Sequence, residues 1–387
     1  MEAAEHGSRL SAFRDALGAG GIDGALVLAA VDLYYLAGTR QSGALWVPTR
    51  GDPVLFVRRS LSRARSESAV ADVRPFPPSR ELAAATGARG RVGTTLDVVP
   101  AATLDWWRRQ LPVAEWVDVS GALRAQRSVK SPAELAVMRE GGRRLSAVLG
   151  EVPSFLRPGM REIDLSAEIE ARLRRAGNEG SPRLRTFNAE LFVGLAVAGA
   201  GAAVPGFFDG PVAGAGLHPA YPLGASERPI GRDEPVMVDF TAVFGGYVVD
   251  MTRMAVCGAL APDLARTLEV ARAIQAEVSA GLRPGAVPEE LWGRAVAMAG
   301  QAGLGDVFMG PPGEQARFVG HGVGLELDEL PVIAPGSRVP LRAGQTVAVE
   351  PKFVFPGRGA VGIENTWVVT EAGGERLTGL ADGLMGV

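Results

Sequence analysis

Short apolar runs bounded by Gly, Pro and Asp alternate with helically spaced apolar positions in the first third of the chain. The runs at 25–28, 43–47 and 54–57 predict strands, because strands of this length commonly end at such turn residues. Apolar residues recur at helical spacing over 8–17 and 101–110, and this pattern predicts two helices. The first third therefore predicts a small α/β unit.

A polar segment followed by a helix-start signal marks a domain boundary near residue 128. Ser131 is a suitable N-cap, Pro132 suits the first helical position, and Glu134 completes a capping box. The length of 387 residues favours at least two domains, each with its own core. We therefore predict domains at residues 1–127 and 128–387.

An internal duplication occupies the second domain. The tetrapeptide Leu-Arg-Pro-Gly occurs at 156–159 and again at 282–285, and a Val-x-Val-acid pattern occurs at 236–239 and 347–350. Chance could explain either short match alone, but the matches occur in the same order. They predict two related halves, each made of a helix, a turn, a second helix and a β-hairpin with two carboxylates. The halves are expected to face each other about a pseudo-two-fold axis.

Each half places two carboxylates symmetrically about a turn. Asp239 and Asp250 are equidistant from 244–245, and Glu350 and Glu364 are equidistant from a Pro-Gly-Arg turn. Tight turns at these centres would put the two acids of a pair directly opposite each other, on one face of the hairpin. Carboxylates that face inward from Val-rich strands are unfavourable without cations. The alternative is that all four are ordinary outward-facing strand carboxylates.

His321 lies between two glycines, which allow close approach of the backbone. Alone it would suit a structural histidine in a Gly-rich turn, but beside the two hairpins a metal ligand is the favoured interpretation. Four carboxylates and one imidazole can hold two divalent cations, which activate water at neutral pH. The predicted metal ligands are Asp239, Asp250, His321, Glu350 and Glu364.

Composition narrows the class of protein. The apolar fraction of 47% and the charged fraction of 21% are those of a globular protein. A net charge of −3 supplies no basic field for nucleic acid. The single cysteine, Cys257, excludes an intramolecular disulfide and fits a reducing compartment. The apolar runs are too short to span a bilayer and the first residues show no signal-peptide pattern, so we expect a cytoplasmic protein without a membrane partner.

The predicted ligands lie in five motifs: Val-Asp-Phe at 238–240, Gly-Tyr-Val-Val-Asp-Met-Thr-Arg at 246–253, Gly-His-Gly-Val-Gly-Leu-Glu at 320–326, Val-Glu-Pro at 349–351 and Gly-Ile-Glu-Asn at 362–365. These motifs resemble the pita-bread (M24) metallopeptidase family, which includes methionine aminopeptidase, prolidase and Xaa-Pro aminopeptidase. The first third resembles the N-terminal domain of prolidases and creatinases. The resemblance implies an α/β (α+β) fold, with a creatinase/prolidase-like domain followed by a pseudo-two-fold pita-bread domain, and a homodimer.

The family pattern implies a role for each ligand. Asp239 would bind one metal ion, His321 and Glu350 would bind the other, and Asp250 and Glu364 would bridge the two. Oxygen-rich ligation suits Mn²⁺, with Co²⁺, Fe²⁺ or Zn²⁺ as alternatives. Glu350 would act as the general base while a hydroxide held between the metals attacks the scissile amide.

The residues around the ligands depart from the family pattern. Where family peptidases carry a histidine seven residues after the ligand histidine, this chain has Asp328, whose ionised carboxylate cannot donate a hydrogen bond to an oxyanion. A second usual histidine is absent, and His218 lies about four residues early for that role. Gly362 stands where proline-specific members commonly have arginine. Asp328 and His218 are candidate catalytic residues, with ordinary loop positions as the alternative, and Thr252 is a candidate partner for a ligand carboxylate.

The favoured function is a dinuclear metallopeptidase that hydrolyses Xaa-Pro dipeptides or removes an N-terminal residue before proline. The missing histidines and Gly362 favour an alternative, a family member with other chemistry such as a small-molecule hydrolase or a lyase. A non-catalytic binding protein is a third hypothesis, which the complete ligand set disfavours. The Gly-, Ala- and Pro-rich segment 187–232 is expected to form a loop over the site.

Overall fold

Helices and strands follow one another through residues 3–112 and 114–387, the residues that this computed structural model describes. Contacts divide the chain into two units, Met1–Arg127 and Ser128–Val387. The α-helices are α1 (Ala3–Ala19), α2 (Ala30–Ala37), α3 (Leu61–Glu67), α4 (Leu82–Thr86), α5 (Ala101–Gln110), α6 (Ser120–Ser128), α7 (Pro132–Gly150), α8 (Val152–Phe155), α9 (Glu162–Arg175), α10 (Pro262–Ala280) and α11 (Pro288–Gln301). Among these residues, no helix combines the length and the apolar character needed to cross a bilayer.

The strands are β1 (Gly24–Val27), β2 (Gly43–Pro48), β3 (Val54–Val57), β4 (Asp72–Pro75), β5 (Gly90–Thr94), β6 (Ala114–Asp118), β7 (Gly194–Ala198), β8 (Val236–Phe244), β9 (Tyr247–Val256), β10 (Gly320–Gly322), β11 (Glu329–Ile333), β12 (Thr346–Val349), β13 (Lys352–Phe355), β14 (Gly359–Gly362), β15 (Asn365–Thr370), β16 (Gly373–Arg376) and β17 (Met385–Gly386). Short 3₁₀ helices lie at Ser79–Glu81, Gly199–Ala203 and Gly305–Val307.

The N-terminal unit is built on a six-stranded sheet in the order β4-β3-β2-β1-β5-β6. β2 runs antiparallel to both of its neighbours, and the other adjacent strands are parallel. The three strands predicted in this part of the sequence are β1, β2 and β3, to within one residue, and the two predicted helices lie within α1 and α5. The buried core of the unit includes Leu26, Trp46, Phe56, Val92 and Trp107.

Ser131 opens the first long helix of the C-terminal unit. Its hydroxyl accepts a hydrogen bond from the backbone N–H of Glu134, and the Glu134 carboxylate accepts one from the backbone N–H of Ser131. This is the predicted capping box, with Pro132 at the first helical position. Two of the otherwise unpaired N–H groups at the start of α7 are satisfied in this way.

The internal duplication is visible in the helices. α7 and α10 each have 19 residues, and α9 and α11 each have 14. The two Leu-Arg-Pro-Gly turns end in Gly159 at φ 84° and in Gly285 at φ 85°. This left-handed conformation favours glycine, so the repeated turn sequence has a backbone reason. The predicted order of helix, turn, helix and hairpin is confirmed in both halves, which carry sheets ordered β17-β9-β8-β7 and β11-β10-β12-β15-β16.

The hairpin β8–β9 carries Asp239 and Asp250 in a register that differs from the predicted one. Its turn is 245–246, a glycine pair with positive φ at both residues, as a two-residue hairpin turn requires. Asp239 therefore pairs with Thr252, and Asp250 pairs with Thr241. The prediction that the two aspartates lie directly opposite each other is wrong, because the glycine pair moves the turn. The offset of two residues still keeps both side chains on one face of the hairpin.

The second hairpin has the predicted register. β13 and β14 pair around a three-residue turn at 356–358, and β12 pairs with β15 in the same register. The two ladders are segments of one long hairpin, interrupted where Glu350 and Glu364 lie. At this interruption the backbone of Glu364 exchanges two hydrogen bonds with Thr252 of β9, each 3.3 Å long. The two halves of the duplication therefore meet at the acidic residues.

Arg253 fixes this junction. Its buried guanidinium donates to the carbonyl oxygens of Thr252, Glu364 and Ala381 at 2.7–2.9 Å, and to the side-chain oxygen of Asn365 at 2.8 Å. A planar group with five N–H donors can bind several acceptors at fixed angles. Arg253 thereby holds the backbone of β9 at Thr252 and the backbone between β14 and β15 at Glu364.

We expect Arg253→Met to lower the free energy of unfolding by about 3–5 kcal/mol, because several buried acceptors lose their charged donor. Urea denaturation followed by circular dichroism measures this change. Arg272→Met is the control, since Arg272 is exposed and its ion pair with Glu269 on the same helix is worth less than about 1 kcal/mol. Equal losses in the two variants would contradict the role given to Arg253.

Candidate metal centre

The five predicted ligands line one cavity of about 380 Å³ in the C-terminal unit. Asp239 lies on β8, Asp250 on β9 and His321 on β10, whereas Glu350 and Glu364 lie at the interruption of the long hairpin. Both hairpins direct their acidic side chains to the same space. The structure therefore brings together all the residues that the ligand pattern singled out.

His321 presents one ring nitrogen to the acids. Its Nδ1 lies 2.8 Å from the carbonyl oxygen of Leu327, and because a carbonyl only accepts, Nδ1 carries the proton. In the neutral imidazole the lone pair is therefore on Nε2, which lies 3.4 Å from Glu350 and 3.8 Å from Glu364. A backbone carbonyl that fixes the histidine tautomer is a common arrangement in metal sites.

Asp250, His321 and Glu364 form a group suited to one cation. One ligand atom from each lies within 4.8 Å of the other two. Asp250 Oδ1 and Glu364 Oε1 are buried and have no hydrogen-bond partner. Burying a carboxylate oxygen without a partner is costly, and a cation between these atoms would satisfy both. These three residues therefore fit a divalent metal ion.

Lys352 projects into the other side of the acid cluster. Its buried ammonium lies 2.8 Å from Asp239, 2.7 Å from Glu350 and 3.0 Å from Glu364. Lys352 was not among the residues predicted from the sequence, although its position two residues after Glu350 on a strand-like segment is a signal that both side chains share a face. A residue two positions from a ligand in a strand can therefore be part of the site.

Gly362 makes room for this lysine. It is the direct cross-strand partner of Lys352 in the β13–β14 ladder. A Cβ atom at position 362 would lie 2.6 Å from Lys352 Cγ and 2.8 Å from Lys352 Cα, which is too close for either atom. The same Cβ would lie 2.8 Å from the carbonyl oxygen of Pro351, so the backbone of the facing strand requires glycine at 362 as much as the Lys352 side chain does.

The acids carry more negative charge than their protein partners neutralise. Burial and the neighbouring Asp239 raise the pKa of Asp250 to about 7. Burial and Asp250 also raise the pKa of Glu364 well above its ordinary value. Burial would lower the pKa of His321, but the adjacent Glu350 and the other carboxylates raise it to about 10. A site with this excess of negative charge favours a bound cation.

Lys352 and Glu350 hold each other in the charged state. Burial would lower the pKa of Lys352, but Asp239, Glu350 and Glu364 raise it well above its ordinary value. Burial would raise the pKa of Glu350, but Lys352 and His321 lower it to about 2. Lys352 is therefore a permanent positive charge at this site near neutral pH.

The residues present fit one divalent cation and do not fit the predicted pair. The cation that Asp239 was expected to bind would need carboxylate oxygens that are hydrogen-bonded to Lys352. The oxygens of Asp250 and Glu364 that lack a partner lie with His321, on the side that remains suited to a metal ion.

Thr252 supports one of these ligands. Its hydroxyl is buried and donates to Glu364 Oε2 at 2.8 Å, in agreement with the predicted hydrogen bond to a ligand carboxylate. The same carboxylate oxygen accepts from Lys352. The other oxygen of Glu364 is left for a cation.

Asp328 lines the cavity but its carboxylate is already bound by the main chain. It accepts hydrogen bonds from the backbone N–H groups of Arg185 and Thr186 at 2.7 and 2.8 Å, and from the Thr186 hydroxyl at 2.6 Å. These contacts hold the segment that precedes the Gly- and Pro-rich insert. The Asp328 carboxylate thus stabilises the backbone at 185–186, and the catalytic role of Asp328 stays a prediction.

His218 lies apart from the acid cluster. Within 3–112 and 114–387, it is not among the residues that line the cavity. It is exposed, and its Nδ1 accepts a hydrogen bond from the backbone N–H of Ala220 at 3.1 Å, inside its own loop. The geometry gives no support to the predicted catalytic role of His218, because none of its hydrogen bonds in the described part of the chain reaches a predicted ligand.

Comparison with known families places the chain. The family pattern described as Metallopeptidase family M24 matches residues 136–371. The chain belongs to metallopeptidase family M24. A second pattern, described as the Creatinase/Prolidase N-terminal domain, matches residues 9–129. Both the resemblance seen in the five motifs and the predicted fold class are confirmed, and membership of M24 makes the chain a metallohydrolase.

Relatives of this M24 protein match along nearly the whole chain. The probable dipeptidase PepE of Mycobacterium tuberculosis is 28% identical over 393 residues, which cover 96% of this chain and 94% of the relative. The Xaa-Pro dipeptidase of Pyrococcus furiosus is 25% identical over 362 residues, which cover 92% and 93% of the two chains. The crystal structure of dipeptidase PepE from Mycobacterium ulcerans matches with a TM-score of 0.84 at 28% identity, over 100% of this chain and 99% of that chain.

We expect Thr252→Val to weaken Mn²⁺ binding by roughly 10–100-fold, because Glu364 loses the hydrogen bond that orients it. Isothermal titration calorimetry on metal-free protein measures the affinity. The matched control is Thr267→Val, whose hydroxyl bonds to Asp263 within α10 and should leave the affinity unchanged. An unchanged affinity in Thr252→Val would rule out this supporting role.

Proposed function

We propose that this M24 protein is a metal-dependent peptidase that hydrolyses Xaa-Pro dipeptides or removes an N-terminal residue before proline. The observation that carries the proposal is the cluster of Asp250, His321 and Glu364 in a cavity with largely apolar walls. The names of the relatives, dipeptidase and Xaa-Pro dipeptidase, support the same substrate class. A cavity of this size suits a small ligand.

The cavity wall offers a surface for a short apolar peptide. Hydrophobic side chains come from the 187–232 insert, from β11 and from the segments that flank β10, and they surround the acids on several sides. A proline ring buried against them would gain roughly 25 cal/mol per Å² of apolar area removed from water. The apolar lining residues include Leu191, Phe192, Phe208, Phe318 and Val332.

A divalent cation bound at Asp250, His321 and Glu364 would supply Lewis acidity for activating water and a carbonyl group. Mn²⁺ is the proposed metal, because the donor set is rich in carboxylate oxygen. Glu350 is the proposed general base, and the hydrogen bond from Lys352 keeps it ionised and oriented. We further propose a cytoplasmic homodimer, on the basis of the sequence and the family resemblance.

Several residues favour an alternative, in which the family scaffold performs other hydrolytic or lyase chemistry. Asp328 stands where the family peptidases have a histidine, and its carboxylate is bound by Arg185 and Thr186. Of the cavity-lining residues in the described part of the chain, His321 is the one imidazole. Losing an oxyanion donor typically costs on the order of 10²–10³ in rate, so peptide hydrolysis would need a donor from elsewhere.

We expect the purified, Mn²⁺-loaded protein to hydrolyse at least one member of a panel of Xaa-Pro dipeptides and longer Xaa-Pro peptides, measured by release of the N-terminal amino acid. Asp250→Ala should lower kcat/KM by more than the roughly 10–100-fold that loss of a supporting hydrogen bond costs, because a metal ligand is removed. Glu371→Ala, which removes an exposed turn carboxylate, is the matched control and should retain full activity.

Failure of the whole panel with each of Mn²⁺, Co²⁺, Fe²⁺ and Zn²⁺ would contradict the peptidase proposal. Turnover of a cyclic or amidino compound in place of peptides, again lost in Asp250→Ala, would favour the alternative. Activity that survives Asp250→Ala would contradict both.

A further inference from the structure

We propose that the ammonium group of Lys352 takes the place of one of two cations, so that this chain binds a single divalent metal ion, held by Asp250, His321 and Glu364. The inference concerns the metal content of the site and does not depend on which substrate is cleaved.

The three N–H donors of the Lys352 ammonium are all engaged by carboxylates. A lysine ammonium has three N–H donors, and three carboxylates lie at 2.8, 2.7 and 3.0 Å from Nζ. A metal ion on the same oxygens would bind at roughly 2.0–2.6 Å from each of them and would therefore lie very close to Nζ. Two positive charges at that separation repel strongly in a buried site. Lys352 and a metal ion on Asp239 thus exclude each other.

The position of Lys352 in the strand directs its ammonium group toward the acids. Lys352 lies on β13, two residues after Glu350, and its side chain is buried. Gly362 faces it across the ladder, and a Cβ there would come within 2.6 Å of the lysine side chain. The same Cβ would also lie 2.8 Å from the Lys352 Cα atom and from the Pro351 carbonyl oxygen, so the close pairing of the two strands requires glycine at 362 and the lysine side chain packs against it.

Lysine is a rare choice in this chain. Lysine and arginine together number 40, but lysine occurs at positions 130 and 352 alone. Both are buried, and Lys130 pairs with Glu329 at 2.8 Å. A compact ammonium can sit among three carboxylates as a point charge, whereas a planar guanidinium needs a wider, forked set of acceptors. The ammonium group of Lys352 is thus closer to a metal ion in size and charge distribution than a guanidinium group would be.

The other side of the cluster remains prepared for a cation. Asp250 Oδ1 and Glu364 Oε1 are buried without a hydrogen-bond partner, and His321 turns Nε2 toward them. The four carboxylates carry four negative charges and Lys352 supplies one positive charge. With His321 neutral, one divalent cation leaves a net charge of −1 and two would leave +1, so the net charge does not distinguish the two cases. The two unpartnered oxygens beside His321 are what place a single ion on this side.

The test measures metal content, so it is independent of turnover. Tag-free wild-type protein, Lys352→Gly and Lys130→Met are stripped with a chelator, dialysed against Mn²⁺ and analysed by inductively coupled plasma mass spectrometry. We expect about one Mn²⁺ per chain in the wild type and in Lys130→Met, and about two in Lys352→Gly, because the latter frees the oxygens of Asp239 and Glu350. Lys130→Met controls for the removal of a buried lysine elsewhere.

A second measurement is electron paramagnetic resonance of the Mn²⁺-loaded samples. An isolated Mn²⁺ gives a six-line signal, whereas two neighbouring ions give an exchange-coupled spectrum. We expect the isolated signal in the wild type and the coupled spectrum in Lys352→Gly. Circular dichroism establishes that each variant is folded.

Two Mn²⁺ per wild-type chain, or none, would overturn the proposal whatever the variants do. One ion in both the wild type and folded Lys352→Gly would also overturn it, because Lys352 would then not be the excluding group. If Lys352→Gly does not fold, anomalous diffraction from crystals of the Mn²⁺-loaded wild type locates the ion and tests the proposal. An ion at Asp250, His321 and Glu364 supports the proposal, and one at Asp239 refutes it. A protein inactive on every Xaa-Pro peptide but with one Mn²⁺ would refute the proposed function alone.

Discussion

The buried negative charge of the acid cluster is the constraint on which the rest of this site depends. Carboxylates removed from water are costly unless each oxygen finds a hydrogen-bond donor or a cation. Lys352 meets this demand on the side of Asp239 and Glu350, and the Thr252 hydroxyl contributes at Glu364. One oxygen of Asp250 and one oxygen of Glu364 are buried without a hydrogen-bond partner. A metal ion is therefore expected between these two oxygens.

The fold provides this cluster by joining two halves of a duplication at one point. Each half supplies a hairpin, and the halves exchange backbone hydrogen bonds between Thr252 and Glu364. Arg253 reinforces the junction from a buried position. Three of the predicted ligands thus lie on strands and two lie between paired strands, so their geometry is held by the same hydrogen bonds that hold the C-terminal unit. A rigid scaffold of this kind suits chemistry that needs fixed ligand positions.

Membership of family M24 and the details of the site bear on different questions. The family accounts for the fold and for the class of metallohydrolase. The side chains that would recognise a substrate or stabilise developing charge are not given by the fold, because function lives in the site. Here Gly362 and Asp328 depart from the family pattern, and Gly362 pairs across the ladder with Lys352, which the sequence did not single out. The proposed chemistry of this member therefore depends on the neighbours of the predicted ligands.

The sequence by itself determined three strands and two helices of the N-terminal unit, the capping box at Ser131, the duplication and the identity of the four clustered acids and the histidine. These follow from local patterns, since turn glycines, capping residues and alternating strands act over a few neighbouring positions. The register of β8–β9 was predicted wrongly from the midpoint between the two aspartates. The glycine pair at 245–246 forms the turn and therefore sets the register. Only the tertiary structure brought Lys352 to Asp239, which is 113 positions away in the chain, and left His218 outside the cavity. Contacts between residues so far apart in the chain depend on how the two hairpins pack together. A local sequence pattern does not specify that packing.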